Sequence, residues 1–84
     1  MKARIRLQSG AKIELDVLDL SAAGCMIDRR GWSARPGDRA LVQLEELGFQ
    51  PGSVVWVEDD HAGIEFEQLL HEAVLERLKQ TMVA

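Results

Sequence analysis

Four stretches of the chain carry an apolar side chain at every second position: Lys2 to Leu7, Lys12 to Val17, Arg39 to Leu44 and Ala62 to Phe66. A period of two is the pattern of a strand with one buried face, and a helix cannot keep a face apolar at that spacing. Ala3, Ile5 and Leu7 oppose Lys2, Arg4 and Arg6; after Ser9-Gly10, Ile13, Leu15 and Val17 oppose Lys12, Glu14 and Asp16. These two runs predict a hairpin closed around Gly10. Ala40, Val42 and Leu44, and later Ala62, Ile64 and Phe66, supply two more inward faces.

Two further strands are predicted on other grounds. Cys25-Met-Ile27 is a short apolar run, and Ser53 to Val57 is β-branched around Trp56, which predicts burial on both faces. Pro51-Gly52 signals a turn, Glu58-Asp59-Asp60-His61 a charged hairpin tip, and Asp28 to Asp38 a polar loop containing Gly31, Pro36 and Gly37. From Leu69 the period lengthens, and Leu70, Val74 and Leu78, with Leu75 and Met82, form the stripe of an amphipathic helix. The fold expected is mainly β, a six-stranded antiparallel barrel over about residues 2–67 with one C-terminal amphipathic helix over about 69–82, in a single domain spanning 1–84. The helix is expected to complete its own barrel, with a helix-mediated homodimer as the alternative.

With 46% apolar and 29% charged residues the chain is globular rather than disordered. Its lone Cys25 has no partner for an internal disulfide and, lying in an apolar strand directly after a turn, is expected to be a buried, unreactive thiol. No apolar stretch has the length of a membrane span, so membrane insertion is not expected and the setting is read as cytoplasmic. The net charge of −4 argues against DNA or RNA as a partner. It also hides an asymmetry: residues 1–42 hold eight of the ten basic and five of the fourteen acidic residues. The first half can therefore attract a small anion.

No enzyme is expected. His61 and His71 stand apart from any Ser or Cys nucleophile motif, and one cysteine with two histidines makes no metal-ligand pattern. Glu58-Asp59-Asp60 reads as a solvated turn without the spacing of a calcium loop.

The polar interruption in Val17-Leu-Asp-Leu-Ser-Ala-Ala-Gly24 is the main functional signal. Asp19 and Ser21 can accept backbone N–H groups, and Gly24 permits a positive φ or a close backbone approach, so the stretch reads as a turn presenting polar groups at the barrel mouth. Asp19-Leu-Ser21-Ala-Ala-Gly24, followed by Gly52-Ser-Val-Val-Trp56-Val57 and Ala62-Gly63-Ile64-Glu65-Phe66, resembles the PilZ domain family, the bacterial receptor module for cyclic di-GMP. The resemblance covers nearly the whole chain and implies a six-stranded barrel with a terminal helix. It implies a guanine contact at the DxSxxG residues Asp19, Ser21 and Gly24.

It also implies an RxxxR arm before the first strand, whose guanidinium groups would wrap phosphates and guanine edges. That arm falls at or before Met1, and no RxxxR precedes Asp19 in the sequence. Lys2-Ala-Arg4-Ile-Arg6 imitates it as KxxxR, but within a strand. Two arginine–phosphate contacts at about 1.5–3 kcal/mol each correspond to about two to four decades of affinity. Arg29, Arg30 and Arg35 are candidates for partial replacement, with Trp32 as a stacking face. The function expected is a cyclic di-GMP-responsive module with weakened affinity. The alternative is a degenerate PilZ-like adaptor that docks on a protein partner without holding nucleotide.

Overall fold

The computed structural model describes residues 1–45 and 47–82. The strands are β1 (Lys2–Leu7), β2 (Lys12–Ser21), β3 (Gly24–Asp28), β4 (Arg39–Leu44), β5 (Phe49–Glu58) and β6 (His61–Phe66), followed by helix α1 (Glu72–Met82). They close into an antiparallel barrel in the order β1-β2-β3-β6-β5-β4, which leaves no edge unpaired. The alternating runs bury the predicted faces: Ala3, Ile5, Leu15, Val17, Val42, Leu44, Ala62, Ile64 and Phe66 all lie in the core. Gly10, at φ 91°, turns the β1–β2 hairpin.

The two ends of the barrel are closed differently. At the end holding the β1–β2 hairpin, the loop after β3 folds inward, and Ala34 is buried while Trp32 packs on the core. Its Arg35-Pro36-Gly37-Asp38 turn carries Gly37 at φ 97°, and the Arg35 N–H donates to Asp38 Oδ2 at 3.0 Å. The opposite end receives α1, which buries Leu78 and half-buries Val74, Leu75 and Met82. Among the described residues no helix is long and apolar enough to cross a membrane.

Four sequence expectations are corrected. Pro51-Gly52 is not a turn but lies inside β5, where Pro51 pairs with Leu41. Its carbonyl accepts the Glu67 N–H at 2.9 Å, so its missing N–H faces that same side, just past the last residue of β6, where the ladder needs no donor. The helix begins at Glu72 rather than Leu69, whose side chain is 74% exposed. His71 caps it: the Ala73 N–H donates to His71 Nδ1 at 3.1 Å. Ser53 to Val57 is not buried on both faces, since Val55 and Trp56 point outward. The DLSAAG stretch is mostly strand, with only Ala22 and Ala23 forming the turn.

Candidate functional site

Two β-bulges decide which side chains leave the core. In β2, Val17 pairs with Ile27 but Asp19 pairs with Met26, so Leu18 is the extra residue. Simple alternation from Val17 would bury Asp19 and Ser21 and expose Leu20; the bulge reverses this, burying Leu20 and turning both polar side chains outward. In β5, Val54 pairs with Ile64 but Trp56 pairs with Gly63, so Val55 is extra and Trp56 faces out, while Val57 turns back toward Ala62. Without the second bulge the indole would point into the core.

The cross-strand register then sets the outward residues in rows. Asp19, Met26, Gly63 and Trp56 form one row across β2, β3, β6 and β5. Ser21, Gly24, Glu65 and Ser53 form the next. Two glycines side by side leave the middle of the sheet bare, and a cleft of about 320 Å³ opens there, lined by Asp19, Ser21, Gly24, Met26, Trp56 and Glu65 among others. That is near the lower end of ligand-pocket sizes, about 300–1,000 Å³.

Both glycines are sterically required. Gly24 has no positive φ; a Cβ there would collide with the Ile64 carbonyl oxygen and sit 3.1 Å from the Glu65 Cα. A Cβ on Gly63 would enter the Trp56 indole, reaching Cδ1 at 2.8 Å, so the ring lies flat on the Gly63 backbone. This glycine–aromatic cross-strand pair holds the indole in place while leaving Trp56 38% exposed. The turn is anchored from behind, since the Phe66 N–H donates to Ala23 O at 2.7 Å and the Leu70 N–H to Ala22 O at 2.9 Å.

The charged groups of the cleft are carboxylates, which only accept. Asp19 Oδ1 takes the Leu20 N–H at 2.9 Å, which orients its carboxylate, and the Ser21 hydroxyl donates to Gly24 O at 3.3 Å. Glu65 adds a second carboxylate, and no Lys, Arg or His lines the cleft among the described residues. Cys25 lies beneath it with its thiol pushed up to about 12 by burial, which keeps it protonated and unreactive near neutrality.

The other candidates stand elsewhere. Arg29, Arg30 and Trp32 border a separate cavity of about 610 Å³ with Leu7 and Ile13. The length of β3, about 13 Å, separates Asp28 from Gly24. Arg29 donates through Nε to Asp59 O at 2.7 Å and through a terminal nitrogen to Trp32 O at 3.1 Å. Arg30 is held by Asp16 at 3.0 Å and by Asp28, and these contacts raise its pKa, the Asp16 hydrogen bond first. Arg35 is exposed in its turn. Arg4 points outward from β1 toward Glu14, and Arg6 stands opposite Lys12. Asp19, Ser21 and Gly24 are brought together; the arginines and Trp32 are not brought to them.

Sequence reasoning missed Trp56 and Glu65 as cleft residues. The available signal was a phase slip: the inward series Ile13, Leu15, Val17 resumes at Leu20 and not at position 19, and Val54 to Val57 lacks any polar residue to mark its phase.

No curated protein matches the chain. The PilZ domain family model matches residues 1–83. With the closed barrel, the terminal helix and the DxSxxG residues on one outward cleft, the chain belongs to the PilZ domain family.

Proposed function

We propose that this chain is a non-enzymatic signalling module that binds cyclic di-GMP through Asp19, Ser21 and Gly24, and passes the binding event to a protein partner in the bacterial cytoplasm. The observation that carries the reading is the pair of bulges that turns Asp19, Ser21 and Trp56 outward around a glycine floor. One edge of guanine offers its ring N–H and amino group side by side, a pair that a carboxylate accepts together. Asp19 is assigned that contact, with Ser21 beside it and the base resting on the Trp56 face. Arg4, Arg6, Arg29, Arg30, Trp32 and Arg35 are left out of the contact set, because they flank other surfaces or are engaged with carboxylates and carbonyls.

A second reading, a protein-interaction adaptor that holds no nucleotide, draws on one observation: among the described residues the cleft has no cation for a phosphate. Calorimetric titration with cyclic di-GMP separates the two. Asp19→Ala and Ser21→Ala are each expected to weaken binding about tenfold, as one charge-assisted or neutral hydrogen bond is lost. Circular dichroism should stay unchanged, since both side chains are exposed. Equal binding by wild type and both variants refutes the assignment, and a silent wild type favours the adaptor.

A further inference from the structure

We infer that Glu65 sets the ligand selectivity of the cleft, admitting a guanine base while holding the phosphates of a cyclic dinucleotide weakly. The inference rests on the cyclic di-GMP reading above and concerns a residue outside the DxSxxG motif. Glu65 faces outward from β6 between Gly24 on one side and Ser53 on the other, and neither neighbour offers a charge to offset it. It takes part in none of the ion pairs formed among the described residues, which are Arg4–Glu14, Arg30–Asp16, Arg30–Asp28 and Arg39–Glu67. Arg39 continues the same row beyond Ser53, but its guanidinium is engaged by Glu67. The basic side chain best aligned with the cleft is thus drawn to one carboxylate while a second stands inside.

The physical consequence depends on what the ligand carries. A neutral guanine presenting N–H donors loses nothing from a second carboxylate, whereas a phosphate held within about 7 Å of it would meet like-charge repulsion close to thermal energy or somewhat above it. A cyclic dinucleotide carries two such charges, so removal of the Glu65 charge is expected to raise its affinity about three- to tenfold. The repulsion is between groups near solvent and must fade as salt rises.

The test compares wild type, Glu65→Gln, Glu65→Asp and Asp19→Ala by titration with cyclic di-GMP and, separately, with uncharged guanosine. Glu65→Gln should gain about three- to tenfold for the dinucleotide at low salt, lose that gain near about 1 M salt, and leave guanosine unchanged. Glu65→Asp should behave as wild type. If wild type binds and depends on Asp19 but Glu65→Gln gives no gain, or gives the same gain for guanosine, the inference about Glu65 is overturned and the site reading stands. If no chain binds either ligand, or Asp19→Ala binds as wild type does, the site reading itself fails and the inference falls with it.

Discussion

Replacing Gly24 by alanine is expected to cost at least about 3 kcal/mol of folding stability and to lower Tm by more than about 12 °C. The added methyl meets the Ile64 carbonyl and the Glu65 backbone, which cannot rotate away as a side chain would. Relief requires β3 and β6 to separate where Gly24 pairs with Glu65 and Cys25 with Ile64, beside the buried Ile64 and Phe66. A barrel of six strands offers no free edge to absorb the shift. Gly31→Ala is the control: its Cβ meets nothing within 4 Å, and its φ is not positive, so its stability should move by less than about 0.5 kcal/mol. Thermal melts followed by circular dichroism check both. A Gly24→Ala chain as stable as Gly31→Ala would show that the β3–β6 approach is not as close as described. The last position of DxSxxG is therefore a packing requirement in its own right, and loss of binding on its substitution would not by itself report a ligand contact.

Gly63→Ala is expected to act differently, because what its methyl meets is a side chain. The indole of Trp56 must leave its place on the Gly63 backbone, and being already outward it can swing toward solvent. Loss of this cross-strand contact should cost about 1–2 kcal/mol, well short of the Gly24 effect. Cyclic di-GMP affinity should nevertheless fall at least about tenfold, since base–aromatic stacking is worth about 1–3 kcal/mol. A Gly63→Ala chain that binds as wild type does would remove Trp56 from the site. Conversely, binding loss accompanied by a collapse of Tm as large as that of Gly24→Ala would mean that the indole is structural first.

Much of this arrangement was legible from residues alone. Alternation located β1, β4 and β6 because an apolar residue recurs at every second position of each, and the phase is written most plainly in β1, where Arg4 stands between Ala3 and Ile5. The DxSxxG residues were legible as a group. Their outward direction was not, since a bulge is an event of pairing between β2 and β3, and one sequence carries only its trace, the slip from Val17 to Leu20. The phase of Val54 to Val57 is hidden for a simpler reason: four apolar residues in succession have no marker to tell an outward Trp56 from a buried one. Pro51-Gly52 misled because composition cannot tell a turn from a strand segment lying just past its neighbour's last residue. Trp32 drew attention as an aromatic among arginines, yet it packs on the hairpin end of the core, beyond the length of β3 from Gly24.

The contrast between the two tryptophans gives the most direct test of the site. Trp56 is the only tryptophan left in a Trp32→Phe chain, and Trp32 the only one in Trp56→Phe. A guanine stacked on an indole quenches its fluorescence. Titration of Trp32→Phe with cyclic di-GMP is expected to give saturable quenching that disappears when Asp19→Ala is added, while Trp56→Phe shows none. Quenching confined to Trp56→Phe, or quenching of Trp32→Phe that survives the loss of Asp19, would contradict a guanine site built from Asp19, Ser21 and Trp56.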